Sequence, residues 1–178
     1  MSQVIREQCH GITERRKVKH RCKHVTLKGI YCHQHLKKLT GLAVRKSTVA
    51  PRSGMGLWNI GNEIPPGKQI ADYSGDRVVS HDPNFGNPYV LQIKKRPPTF
   101  IDAAKTNTGY GRWANDRKGN NNADLVYNTR TQKAYLKSKK KIPPKTEITT
   151  AYGATYWRHY KKKGVKKPKK SVAKRANQ

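Results

Sequence analysis

The chain of 178 residues carries 39 Lys+Arg against 10 Asp+Glu, a formal net charge of +29. That length holds one ordinary domain plus appendages, and no apolar run approaches the roughly 18 residues of a membrane-spanning helix, so no membrane partner is expected. No apolar stretch follows the N-terminal charges, which argues against a secretory signal, and three cysteines, all before residue 33, exclude a disulfide framework in favour of metal binding in a reducing compartment.

Residues 1–42 hold every cysteine and most of the histidines. Cys9, Cys22, Cys32 and His35 follow the spacing C-x12-C-x9-C-x2-H. Zinc takes four tetrahedral N/S ligands, and a Cys3His set forms a closed structural site. His10, His24 and His33 are alternative ligands. Three thiols in so polar and basic a segment have no core to enter as small hydrophobes, so we read them as ligands to structural Zn2+, whose binding supplies the folding energy this segment lacks.

Residues 47–160 read as a string of short strands with Gly/Pro punctuation. The expected strands are 56–60, 69–73, 89–93, 99–102, 125–127 and 134–136, with a last one after Pro143-Pro144. Ile64-Pro65-Pro66-Gly67 is a turn, because two prolines and a glycine cannot continue a ladder, and Ile142-Pro143-Pro144 echoes it. No stretch here keeps a 3.6-residue apolar period, so the fold is expected to be mostly β with short helical turns. Residues 161–178 are Lys-rich with almost nothing to bury, and are expected to be disordered.

The charge is spread along the chain: +10 over residues 1–46, +10 over 47–160 and +9 over 161–178. An excess confined to the tail would suit a targeting signal. A chain-wide excess points to a polyanionic environment such as DNA, RNA or chromatin, met through phosphate neutralisation without base readout.

Four motifs stand in order: Gly54-Met55-Gly56-Leu57-Trp58, Tyr73-Ser74-Gly75, Arg112-Trp113-Ala114-Asn115-Asp116, and Glu147-Ile148-Thr149-Thr150-Ala151-Tyr152-Gly153 followed by Tyr156-Trp157. Together they resemble the motifs of the SET-domain protein lysine methyltransferases. The resemblance spans about residues 47–160. It implies small curved β-sheets around a pseudoknot near the C-terminus, beside the small N-terminal zinc module. That module itself resembles C-C-C-H zinc modules found in proteins of large DNA viruses and elsewhere.

The resemblance implies S-adenosyl-L-methionine as cofactor and a protein lysine as acceptor. Methyl transfer between a sulfonium and an amine needs a neutral lysine, and a free lysine has a pKa of about 10.4. Desolvation beside a positive charge lowers it. By resemblance, Met55, Gly56, Leu57 and Trp58 line the cofactor through their backbone, after a run like Arg52-Ser53. Tyr73 borders the methyl-transfer site as a catalytic residue, and Tyr89 stands beside the cofactor. Arg112 and Trp113 shape the cofactor pocket, Asn115 bonds the cofactor, and Asp116 stands where relatives carry His. Asn122, or a neighbour in the Asn120–Asn122 run, takes the place of the Asn that precedes the next strand. Tyr152 aligns with the catalytic tyrosine, and Tyr156 and Trp157 form an aromatic pair near cofactor and channel. Thr150 replaces the Phe or Tyr that helps set methylation degree, which implies a wider lysine channel. Ala151 replaces the usual Asp, and no cysteine-bearing segment follows the domain.

The functional expectation is a histone-lysine N-methyltransferase acting in the nucleus on chromatin, docked to nucleosomal DNA by non-specific basic contacts. In a viral setting the location is the host nucleus or the virion. The alternative is a catalytically inactive, zinc-stapled basic protein that packages DNA or chromatin. A non-histone target such as a ribosomal protein is a third reading. The tail is either a nuclear address or further phosphate-binding charge.

Overall fold

The structure is a computed structural model that describes residues 3–15, 17–50, 53–80, 88–154 and 156–157. The Lys-rich tail and Arg52 of the Arg52-Ser53 run lie outside the described residues. In chain order the elements are β1 (Glu7–Gln8), β2 (Ile12–Arg15), β3 (Val18–Arg21), β4 (Val25–Thr26), helix α1 (His33–Thr40), β5 (Leu42–Lys46), β6 (Met55–Asn59), β7 (Gln69–Tyr73) and β8 (Asp76–Val79). Then follow β9 (Val90–Lys95), β10 (Pro98–Asp102), a 3-10 turn (Tyr110–Trp113), β11 (Ala123–Asn128), β12 (Lys133–Ser138) and β13 (Thr146–Ile148). The expected mostly-β architecture is present as small antiparallel sheets: β13-β6-β5, β11-β12-β7, β8-β10-β9 and the pairs β1-β4 and β2-β3.

β7 occupies the predicted 69–73, β10, β11 and β12 run a residue or two beyond their predicted bounds, and β6 and β9 are displaced from theirs by one or two residues. Tyr89 lies one residue before β9, where its carbonyl accepts bonds from the Tyr73 hydroxyl and from Ala103 N–H. The two Ile-Pro-Pro turns meet: Ile64 and Ile142 exchange both backbone bonds, at 3.0 and 2.9 Å. Helix α1 was not anticipated. At 8 residues it is too short to display a period, and it is held instead by its ends and one packed residue. Gly41 closes it in the left-handed region (φ 69°), its N–H bonding Lys37 O, and Lys37 and Lys38 sit favourably at the negative end of the helix dipole.

The main core gathers Leu36 of α1, Leu42, Leu57, Leu136, Ile142 and Ile148. Each of these aliphatic side chains contributes about 1.5–3 kcal/mol by leaving water. A second cluster of Tyr73, Ile101, Ala103 and Ala134 lies under Leu91, Ile93 and Tyr127.

Beyond β13 the chain runs between two other segments. Thr149 pairs in parallel with Asn115 on one side, and Thr150 with Ala123 on the other. Thr150 N–H donates to Asn115 O, while Ala123 N–H donates to Thr149 O, both at 2.9 Å. Asn122 fastens the passage: its amide donates to Glu147 O at 2.8 Å and its Oδ1 accepts Thr149 N–H at 2.9 Å. Asn122 is buried, so both bonds are sheltered from water.

Asn122→Ala strands a buried carbonyl and a buried N–H, each costing about 1–3 kcal/mol. Urea denaturation is therefore expected to show a loss of about 2–4 kcal/mol, against little change for Asn120→Ala in the exposed turn.

Candidate active site and metal centre

The second glycine of Gly54-Met55-Gly56 has a steric cause. A Cβ on Gly56 would lie 2.2 Å from Glu147 Oε1. Glu147 is buried under the loop that joins β5 to β6. Its Oε1 accepts Ser47 Oγ at 2.6 Å and Asn115 Nδ2 at 3.2 Å, and its Oε2 accepts Thr48 N and Oγ1, both at 2.8 Å. Burying a carboxylate costs several kcal/mol unless donors replace water, and these four do so. Asn115 also donates to Met55 O at 2.9 Å. The first and last motifs are thus bonded through the third. Gly54 differs from Gly56: it has φ +68° and, among the described residues, nothing within 4 Å of a built Cβ, as do Gly153 with φ +82° and Gly119 with φ +79° in an exposed turn. Open space over glycine backbone is what a cofactor lying on the chain requires.

Tyr89 and Tyr156 lie close enough to Tyr73 and Tyr152, and Arg112 close enough to Tyr73, to influence the ionisation of those two phenols. The Tyr73 hydroxyl donates to Tyr89 O at 2.6 Å, and the Tyr152 hydroxyl to Ala114 O at 2.9 Å. Burial raises the pKa of both phenols well above the ordinary value, with Arg112 opposing the shift at Tyr73 and Tyr156 adding to it at Tyr152. Both stay neutral at physiological pH. With their protons held by backbone carbonyls, the phenol oxygens keep lone pairs that can face a positive centre. Arg112 is buried; its Nε and Nη2 donate to Ala103 O and Ala104 O, and its guanidinium lies 4.1 Å from the Tyr89 ring centre and 4.4 Å from that of Trp113. Such stacking stabilises a desolvated cation by about 2 kcal/mol.

Asp116 is explained by its surroundings. Its Oδ2 accepts Trp157 Nε1 at 2.7 Å and Tyr152 N at 3.1 Å, and its Oδ1 accepts Asn121 Nδ2 at 2.9 Å. One buried carboxylate therefore holds the backbone of Tyr152 and the aromatic pair beyond it. Tyr152 and Tyr156 pack edge to face at 4.5 Å, Tyr156 and Trp157 at 5.1 Å, and Tyr152 stacks on Trp157 at 6.0 Å.

The remaining residues singled out from the sequence fall in different places. Leu57 is wholly buried in the core, so only its backbone can border a ligand. Met55 and Trp58 are half-buried, and the Trp58 indole N–H is buried without a partner among the described residues. Trp113 donates its indole N–H to Lys28 O at 3.0 Å, toward the Cys/His segment. Thr150 is buried in the threaded passage. Sequence reading gave no role to Ser47, Thr48 or Tyr110, and offered Asn121 only as an alternative to Asn122. Ser, Thr and Asn in loops carry no signal of their own, and the partners lie up to 100 residues away.

The four predicted metal ligands converge. Their ligand atoms all lie within 4.8 Å of one another. Cys9 Sγ and Cys32 Sγ stand 3.5 and 3.3 Å from His35 Nδ1, and Cys22 Sγ stands 4.0 Å from Cys32 Sγ. A tetrahedral zinc with bonds of about 2.0–2.3 Å spaces its ligands about 3.3–3.8 Å apart; the two thiol–imidazole separations lie in that range, and the wider ones reach it with a contraction of at most about 1 Å. The surroundings fit too. His35 Nε2 donates to Ile12 O, which turns Nδ1 toward the thiols, and Cys9 Sγ accepts N–H bonds from Gly11 and Cys32. Burial by itself would raise the Cys32 thiol, but hydrogen bonds from the His35 backbone and ring, with Cys9 and Gln34, bring it down to about 7. Burial pushes Cys9 up. His24 Nδ1 lies 3.2 Å from Cys22 Sγ, placed as a donor to that sulfur. A side chain at Gly11 would strike the His35 ring at 2.2 Å, so that glycine makes room for the ligand.

Three outcomes are expected from this geometry. Elemental analysis should find one zinc per chain, lost in Cys32→Ser. Chelation should release hydrogen-exchange protection in residues 7–36 before the sheets. Asp116→Ala should cost about 2–4 kcal/mol and shift Trp157 emission to the red, with Asp116→Asn intermediate because it keeps one acceptor.

A family model described as SET domain matches residues 12–153, so the match begins inside the Cys/His segment. No curated protein sequence matches the chain. Among solved structures, the methyltransferase domain of human PR domain-containing protein 2 is similar with a TM-score of 0.53 at 21% identity, covering 68% of this chain and 84% of that chain. That likeness speaks for the fold. The family match takes in all four motifs and most of the chain, and the chain belongs to the SET-domain family.

Proposed function

We propose that this protein is an S-adenosyl-L-methionine-dependent protein-lysine N-methyltransferase whose substrate is a histone in chromatin. The observation that carries the proposal is a pair of neutral tyrosines, Tyr73 buried and Tyr152 half-buried. Tyr73 and Tyr152 both commit their protons to backbone carbonyls, beside the aromatic wall of Tyr89, Tyr156 and Trp157.

The residues that would hold the cofactor are the backbone of residues 54–58, with Tyr89, Arg112, Trp113, Asn115, Asp116 and Trp157. When bound, S-adenosyl-L-methionine supplies the methyl group as a sulfonium. The chain's own residues do the rest. The aromatic wall excludes water, which favours the neutral form of an entering lysine amine. The phenol oxygens of Tyr73 and Tyr152 orient that amine and stabilise the developing positive charge, being fixed before the reaction begins. Asp116 keeps Tyr152 and Trp157 in register with each other. A zinc ion on Cys9, Cys22, Cys32 and His35 would be structural, since four protein ligands leave no open position.

A histone tail is itself basic, so a chain of +29 repels it as a free peptide. Docking on nucleosomal DNA removes the conflict and places the enzyme in the nucleus, or in a virion if its source is viral. One observation favours a packaging protein with an inactive SET scaffold: both protons of the Asn115 amide are taken up by Met55 and Glu147.

Labelled S-adenosyl-L-methionine, offered with nucleosomes or free core histones, decides between them. One histone should be labelled, faster on nucleosomes than on free histones and with the advantage lost in salt. Tyr152→Phe should lower the rate about 100-fold or more. DNA binding without label on any histone would favour the scaffold. The rate should rise with pH toward about 10 as the substrate lysine loses its proton. Because Tyr152 titrates above the ordinary tyrosine value, its ionisation should cause no fall in that range.

A further inference from the structure

The β2-β3 ribbon packs into none of the cores. Every residue of β3 is exposed, including Val18 at 53%, and Ile12 at the head of β2 is 56% exposed. Its pairing runs from Ile12↔Arg21 to Arg15↔Val18. A lone two-stranded ribbon is at best marginally stable in water. This one is rooted in the metal cluster. Cys22 N–H donates to Gly11 O, Arg21 donates to Cys9 O and Gln8 O, and His35 Nε2 donates to Ile12 O.

The segment that contains the ribbon is strongly basic. Residues 12–28 hold seven basic residues and one acidic, a net of +6, against +10 for the whole of residues 47–160. Lys17, Lys19, Lys23 and Lys28 are exposed, and among the described residues none of them forms an ion pair. Arg21 is spent on the Cys9 and Gln8 carbonyls, but no acidic group among the described residues meets these four lysines, and self-repulsion works against keeping them. An external polyanion is its natural complement. Residues 12–28 contain no Phe, Tyr or Trp, so the stacking platforms that bind single strands are missing. A two-stranded ribbon does fit the major groove of a duplex.

We propose that the β2-β3 ribbon is the principal duplex-DNA docking surface of this protein, held rigid by the metal cluster at its root. The proposal rests on the chromatin reading above and names the surface that performs the docking. Lysines at the ribbon neutralise phosphates without reading bases, so binding is sequence-independent and salt-sensitive.

The test measures affinity of the full chain for a 20-base-pair duplex across a salt series, without cofactor, in wild type, Lys17→Ala/Lys19→Ala and Lys133→Ala/Lys137→Ala. The last pair removes equal charge from exposed positions of β12. The ribbon variant should bind about 10-fold more weakly, with a salt slope smaller by about 1.8 for two lost phosphate contacts. The β12 variant should change by less than about 3-fold. Equal losses in the two variants would overturn the proposal in favour of diffuse charge, and so would an unaltered ribbon variant. Failure of wild type to bind duplex, with binding to an acidic polypeptide lost in the ribbon variant, would overturn it in favour of a protein partner. Methylation of free histones by the same variants separates this from the enzymatic reading: the ribbon variant should keep its wild-type rate there.

Discussion

The fold turns on the passage of residues 147–150 between the segments at Asn115 and Asn122-Ala123. A chain threaded between two others can bond to both only in one register, and Asn122 sets that register by bonding Glu147 O and Thr149 N. Everything of chemical interest hangs from this passage. Glu147 enters it and reaches back under the β5-β6 loop, while Tyr152 leaves it with its hydroxyl on Ala114 O. A slip of one residue would move Glu147 off its donors and Tyr152 out of the aromatic wall.

Two buried carboxylates then divide the labour. Glu147 gathers Ser47, Thr48 and Asn115 and so fixes the glycine loop. Asp116 gathers Asn121, Tyr152 and Trp157 and so fixes the C-terminal aromatics. Each is surrounded by donors, as an ionised group in a dry site must be. The replacement of the family's His by Asp116 changes what this position can do. An acidic acceptor captures the Trp157 indole directly. It thereby anchors the aromatic pair that follows the last motif.

The Cys/His segment is joined to the SET core through the third motif itself. Tyr110 and Tyr31 exchange bonds, with Tyr31 N–H donating to the Tyr110 hydroxyl at 2.8 Å, and Trp113 donates to Lys28 O. Gly29 carries no side chain because the Tyr110 ring would lie 2.4 Å from its Cβ. Burial at this seam pushes the Tyr110 phenol up to about 12, so it stays neutral. The same short turn that places Arg112 against Tyr89 therefore also carries the metal-binding segment.

Much of this was legible in the residues. Alternation of polar and apolar residues located β7, and short apolar runs between Gly/Pro breaks located the other strands of the domain. The convergence of Cys9, Cys22, Cys32 and His35 followed from their spacing in a segment with nothing else to fold it. The four motifs were visible because their chemistry needs particular side chains: Gly54 for open backbone, Tyr73 and Tyr152 for phenol oxygens. What the sequence left undecided is long-range. Helix α1 was too short to show a period, the role of Asp116 depends on a tryptophan 41 residues away, and Gly56 owes its place to Glu147 rather than to a ligand. Local pattern records how a residue suits its own strand or turn. Which buried carboxylate meets which donor is decided only when the chain is threaded, because that choice depends on exclusion of water from partners the sequence keeps far apart.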